Sequence, residues 1–184
     1  MQLFAEKGYN STSVMDILRE SNVNAGSMYH VFPGKQDVLL AVLDMYHESI
    51  HPILLAPVWD DVPDPIERVF ALLESYRNRL VITECTYGCP IGSIALELHE
   101  PDPPVRERLA ANFNSWVAAV EECLVEAGPR LPASVDRHGL AVMALTSMEG
   151  GVMLSRTHRS LDAFDDAVRM YRDYLERLQQ EAAC

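Results

Sequence analysis

The chain has 184 residues, 48% of them hydrophobic and 23% charged, with 11 Pro and 9 Gly in no period, which excludes fibrous and disordered classes and leaves one compact domain or a small module fused to a larger one. Fifteen Lys and Arg against 27 Asp and Glu give a net charge of -12, which argues against broad nonspecific affinity for nucleic acid or anionic lipid and makes any DNA contact local. No apolar run approaches the ~18 residues of a membrane span, Met1 to Asn10 has no secretory apolar core, and Cys85, Cys89, Cys123 and Cys184 are too dispersed for a disulfide framework, so a cytoplasmic protein with reduced thiols is expected.

Helical punctuation dominates and period-two alternation is nearly absent, so the fold class is all-α. Residues 1 to 7 read as the end of a helix stopped by Gly8. Thr12 or Ser13 caps a second short helix, with Asp16 three residues after Ser13 and Val14, Ile17 and Leu18 at helical spacing. Ser21 and Asn22 break it, and a third short helix covers Ala25 to Val31, ended by Pro33 and Gly34. Lys35 to about His51 is a longer amphipathic stretch carrying Val38, Leu39, Val42, Leu43 and Tyr46. The four prolines and three aspartates of Pro52 to Pro65 mark a linker or domain boundary. Further helices are expected at about 65 to 84, 90 to 99, 103 to 127, 134 to 156 and 161 to 181. Leu80 to Thr83 suits a strand in composition, but the sequence offers it no partner.

Two short helices joined by a tight turn can form a helix-turn-helix whose second helix fits a DNA major groove. The segment from Leu3 to Leu43, LFAEKGYNSTSVMDILRESNVNAGSMYHVFPGKQDVLLAVL, resembles the DNA-binding domain of the TetR family of transcriptional regulators. Phe4, Gly8, Tyr9, the Thr12-Ser13-Val14 entry, Ile17, Val23, the Gly26-Ser27-Met28-Tyr29 run, Phe32 and Lys35 carry the resemblance. It implies a DNA-binding domain at 1 to 48 and a ligand-binding and dimerisation domain at 49 to 184, with the start of the first helix missing ahead of Leu3. Val14, Ile17, Val23, Met28 and Phe32 are expected to form the small core. By the same resemblance, Asn24, Ala25, Ser27 and His30 meet base edges or groove walls, while Thr12, Tyr29 and Lys35 contact phosphates and fix register. Residues 1 to 48 nevertheless hold only Lys7, Arg19 and Lys35 against six acids, a charge of -3, where a DNA-binding surface normally carries the opposite sign.

The resemblance further implies a small-molecule inducer bound in the second domain and a homodimer formed through its last two helices, 134 to 156 and 161 to 181. Those segments carry stripes through Leu140, Met143, Ala144, Ser147 and Gly151, and through Phe164, Val168, Tyr171, Tyr174, Leu175 and Leu178, with Gly150 and Gly151 allowing close helix approach. A two-fold dimer sets its reading heads one DNA turn apart, about 34 to 36 Å. Tyr76, Phe113, Trp116 and Met148 suit an apolar pocket, with Glu149 as a polar anchor.

Thr86 to Gly92 adds a sharper feature, because Pro90 suits the first position of a helix and places Cys89 at or next to its N-cap. A thiol there is either an inert buried residue in a tight turn or one activated by the positive helix end for reaction with electrophiles. The Gly-Cys-Pro segment also resembles a subgroup of TetR-type regulators, some of which sense reactive or unsaturated small molecules. Cys85, Cys89, Glu84, Glu97 and His99 lack the paired close spacings of a structural zinc site, so no metal is expected, and no cofactor is implied. No GxSxG, HExxH, GxGxxG or phosphate-cradling glycine loop occurs, which argues against an enzyme. The function expected is a ligand-responsive repressor of transcription. The competing reading, suggested by the acidic first domain, is a helical small-molecule or thiol-reactive sensor that no longer binds DNA.

Overall fold

Three helices too short to persist alone open the chain, and local caps define each of them. The computed structural model describes residues 1–184. Helix α1 (Gln2–Lys7) ends at Gly8, whose φ of 83° lies in the left-handed region that glycine adopts freely. Helix α2 (Val14–Ser21) starts in a capping box: Ser13 Oγ accepts from Asp16 N at 3.1 Å, and Asp16 Oδ2 accepts from Ser13 N at 3.0 Å. The Ser13 hydroxyl, donating to Asp16 Oδ2 at 2.6 Å, then the Ser13 N–H and the neighbouring Lys7 hold the Asp16 carboxyl well below the usual carboxylate range. Asn22 closes α2 in the left-handed conformation, and Asn24 caps α3 (Ala25–Val31) by accepting Ser27 N at 2.8 Å. Helix α4 (Lys35–Glu48) follows.

The segment expected to be a linker or domain boundary is mostly helical, and the first compact unit's opening segment ends just before it, at Ser49. Residues His51–Leu55 form a π-helical turn that runs into α5 (Ala56–Trp59). Pro52 and Pro57 each lie in the first turn of their helix, where a missing N–H costs nothing, so they start helices here rather than ending them. The remaining helices are α6 (Pro65–Ile82), α7 (Pro90–Glu97), α8 (Pro103–Glu126), α9 (Arg137–His158) and α10 (Asp162–Ala182), with a 3₁₀ turn at Gly128–Arg130. There are no strands, and Leu80 to Ile82 continue α6. No single helix is long and apolar enough to cross a membrane.

Two compact units divide the chain: residues 1–49 with 89–112, and 50–88 with 113–184. The sequence boundary near residue 48 therefore marks the end of one segment of the first unit, which recruits α7 and the start of α8 from later in the chain. Its core holds Phe4, Leu18, Met28, Leu39, Leu43, Ile91, Ile94, Val105 and Leu109. Val23, expected in that core, is exposed, and Leu18 is the buried residue of α2. The cause is local: Val23 follows the left-handed Asn22 and lies in the turn, outside the helical stripe that the spacing assumed. The buried Asn112 amide donates to Leu43 O at 3.0 Å and Arg108 O at 2.9 Å, and Arg108 pairs with Asp44 at 2.9 Å.

In the second unit Asp64 caps α6, accepting from Ile66 N at 2.8 Å, with Pro65 behind it. The Val69, Leu72, Leu73, Leu80, Leu124, Met148, Phe164, Tyr171 and Leu175 side chains are buried. Helices α9 and α10 pack on each other, and Tyr171 donates its hydroxyl to Leu140 O at 3.1 Å. Gly151 permits that approach: a Cβ there would lie 2.9 Å from Phe164 Cδ2 and 3.1 Å from Phe164 Cα. Because the second neighbour is backbone, Gly151→Ala is expected to lower stability by about 1–3 kcal/mol through overpacking, read as a fall in the thermal midpoint.

Candidate functional site

Asn24 caps α3, and Met28 anchors its inner face. With Asn24 Oδ1 engaged by Ser27 N, the first turn leaves Asn24, Ala25, Gly26 and Ser27 exposed, and Met28 is the one buried residue of the helix. Tyr29 is 52% exposed, and His30 and Val31 are exposed beside it. Asn24, Ala25, Ser27, Tyr29 and His30 therefore all lie on the solvent side of a short helix that follows a tight turn, an arrangement able to enter a major groove.

Two of the residues expected on phosphates are placed differently. Thr12 is 0% exposed, and its hydroxyl donates to Gly8 O at 2.6 Å. This is a correction: a buried side chain committed to a carbonyl has no surface to offer a phosphate. The Lys35 ammonium donates to Tyr9 O at 2.8 Å and Thr12 O at 3.0 Å, and lies 4.3 Å from the centre of the Tyr9 ring. Its charge is spent on the loop between α1 and α2. Lys7 and Arg19 both pair with Asp16, at 3.3 and 2.7 Å. Every basic side chain of residues 1–48 thus has a partner within the protein.

One residue escaped the sequence reading. Glu97, the last residue of α7, accepts Tyr9 N at 2.6 Å and Asn10 N at 2.7 Å. Nothing local signals this, since 87 and 88 positions separate the partners.

Of the expected ligand contacts, Tyr76 on α6, Trp116 on α8 and Met148 on α9 are buried, while Phe113 and Glu149 are partly so, all five in the second unit. The Trp116 indole N–H is buried without an acceptor. An open groove of 820 Å³ also lies in this unit, lined by Arg77, Leu80, Glu84, Cys85, Arg159 and Asp165 among others, and includes none of those five. Cys89 belongs to the first unit. It is the N-cap of α7, with Pro90 at the first position and Sγ accepting Gly92 N at 3.5 Å, and it is 5% exposed. Burial pushes the Cys123 thiol up to about 11. No group of three or more His, Cys, Asp or Glu side chains is placed to hold a metal ion.

A helix-turn-helix module with an outward polar recognition helix, followed by a larger helical unit, defines a DNA-binding regulator of transcription. Residues 1–42 match the model described as bacterial regulatory proteins of the tetR family, and residues 65–170 match that of the C-terminal domain of LmrA/YxaF-like transcriptional regulators. An HTH-type transcriptional regulator of Mycobacterium tuberculosis is 32% identical over 180 residues, covering 94% of this chain and 88% of its own. Among solved structures, a TetR regulatory protein from Rhodobacter sphaeroides superposes with a TM-score of 0.81 at 24% identity, covering 92% of this chain and 91% of its own. The TetR-family regulator CifR, as a cysteine mutant with 26-base-pair operator DNA, gives 0.72 at 23% identity, covering 91% and 90%. The chain belongs to the TetR family and is a ligand-responsive DNA-binding regulator of transcription rather than an enzyme.

With three of the four cysteines buried, a thiol reagent on the folded protein is expected to modify Cys184 fast and Cys85, Cys89 and Cys123 only after denaturant is added. Quantifying labelled peptides by mass spectrometry against time checks this. Rapid native labelling of Cys89 would favour a thiol-reactive trigger.

Proposed function

We propose that this chain is a cytoplasmic homodimeric repressor that reads an operator with α3 and lets go when an apolar small molecule occupies its second unit. The observation that carries the reading is the single buried residue of α3, Met28, which leaves Asn24, Ala25, Ser27, Tyr29 and His30 facing outward together. Asn24, Ala25, Ser27 and His30 meet base edges or groove walls, and Tyr29 meets the backbone. Support for operator DNA as the partner comes also from CifR, whose structure contains it.

Two exposed helix faces support the homodimer. On α9, Val142, Met143, Met153 and Leu154 are exposed around Gly150, where an added Cβ would meet nothing within 4 Å. Met170 and Tyr174 are exposed on α10. A second copy burying these faces forms a four-helix contact, and two-fold symmetry then sets two reading heads about one DNA turn apart. Tyr76, Phe113, Trp116, Met148 and Glu149 line the inducer site, where the indole N–H awaits an acceptor on the ligand. The inducer acts by binding better to a dimer whose heads are wrongly spaced, since equal affinity for both states shifts nothing.

Titration onto DNA from upstream of the protein's own coding region, beside an unrelated duplex and at several salt concentrations, tests the DNA reading. Selective binding is expected, with a log–log salt slope no steeper than about -5, because residues 1–48 of each subunit bring only three Lys and Arg side chains and all are engaged internally. His30→Ala and Ser27→Ala are each expected to cost about 1–3 kcal/mol of operator affinity and nothing on the unrelated duplex. Equal binding to both duplexes would overturn the reading. For the dimer, Met153→Asp is expected to leave the protomer folded and convert the sedimenting species from dimer to monomer.

A further inference from the structure

The turn between α1 and α2 is held at both ends of two consecutive peptide units. In the Gly8–Tyr9 peptide the N–H donates to Glu97 Oε2 at 2.6 Å and the carbonyl accepts the Thr12 hydroxyl at 2.6 Å. In the Tyr9–Asn10 peptide the N–H donates to Glu97 Oε1 at 2.7 Å and the carbonyl accepts the Lys35 ammonium at 2.8 Å. Each carboxylate oxygen takes one N–H, so neither peptide can rotate without losing a charge-assisted hydrogen bond. Successive backbone N–H groups converging on one carboxylate make the kind of anion-holding concavity that turns provide.

Gly8 makes this approach possible. Besides its φ of 83°, a Cβ there would lie 2.9 Å from Glu97 Oε2 and 3.0 Å from Oε1. The Tyr9 side chain is held as well, its ring 5.4 Å from that of Phe4 and under the Lys35 ammonium. On the other side the acid rests on a fixed support: α7 packs against α1 and buries Ile91 and Ile94. Helix α1 has six residues and α2 eight, too few to fix their mutual angle by helical propensity.

We infer that Glu97 is a positioning residue for DNA binding: without touching DNA, its carboxylate fixes the α1–α2 turn and through it the aim of α2 and α3. This rests on the reading of the first unit as the DNA-binding module. Thr12 and Lys35 serve the same turn from the carbonyl side. The division of labour explains why a domain so poor in basic residues keeps a lysine on backbone carbonyls.

Amide hydrogen exchange and operator titration on the full chain test the inference together. In the wild type, the Tyr9 and Asn10 amides are expected to exchange as slowly as helical ones although neither lies in a helix; exchange at open-loop rates overturns the proposal without any variant. In Glu97→Gln, which keeps one carbonyl oxygen and the side-chain length, one of the two amides is expected to lose protection. Operator affinity is expected to fall about tenfold, the loss of one charge-assisted contact's worth of ordering, with binding to unrelated DNA unchanged. Glu97→Asp, too short to reach, is expected to fall at least as far and free both amides. Lost protection with unchanged operator affinity, or unchanged protection in both variants, overturns the proposal. Failure of the wild type to prefer its operator is a different result: it overturns the DNA reading and the positioning role with it, while slow wild-type amides would still establish the clamp.

Discussion

Opposite charges on either side of one four-residue turn hold the junction between the first two helices of the first unit. A carboxylate at Glu97 collects the outward N–H groups of residues 9 and 10, and an ammonium at Lys35 collects the carbonyls of residues 9 and 12. The helices on either side of that turn have six and eight residues, below the length at which a helix is stable in water by itself. Their caps satisfy individual N–H groups but do not set the angle between axes. That angle needs contacts from outside: the apolar packing of Phe4 and Leu18 in the unit's core, α7 against α1, and one long charged side chain each from α4 and α7.

This construction has an electrostatic consequence. DNA affinity ordinarily draws on cations released to phosphates, yet Lys35 is bound to carbonyls and Lys7 and Arg19 share the Asp16 carboxylate, which also completes the α2 capping box. The few positive charges of the segment organise the fold. What this segment leaves outward is the small, mostly polar start of α3 rather than a free lysine or arginine, in a chain whose net charge is -12.

Legibility in the sequence followed the range of the interaction. Signals confined to three or four residues were readable: Ser13 with Asp16, Pro90 behind Cys89, and the small polar start of α3. The all-α class and the helix order followed from them. At 51–59 the prolines were legible as a boundary but not as helix starts, because the same residue that breaks a helix interior is welcome in a first turn. Roles that depend on partners far along the chain were hidden. Lys35 reaches carbonyls 23 and 26 positions back, Glu97 reaches 87 and 88, and the compactness of 1–49 with 89–112 arises from such contacts. Thr12 was not readable: Ser13 takes the cap, and Thr12 instead donates four residues back to Gly8 O, buried by packing that no local pattern reveals.

The adjacent glycines of α9 separate two demands that a periodic stripe runs together. Leu140, Ala144 and Gly151, together with Phe164, Tyr171, Leu175 and Leu178, are buried within the protomer, Tyr171 on Leu140 and Gly151 on Phe164, so most of that stripe belongs to the protomer's own core. Gly151 is the contact glycine, pressed on Phe164, whereas Gly150 has open space around its Cα. One residue of rotation, 100° on a helix, turns from the inner face to the outer one. The outer face of α9 is richer in methionine and in small residues than in charge, with Val142, Met143, Thr146, Gly150, Met153 and Leu154 on it. A surface of that kind is ordinarily buried against a partner. Under the dimer proposed above, that outer face lies on a helix pair whose inner contact, Gly151 against Phe164, leaves no room for a Cβ.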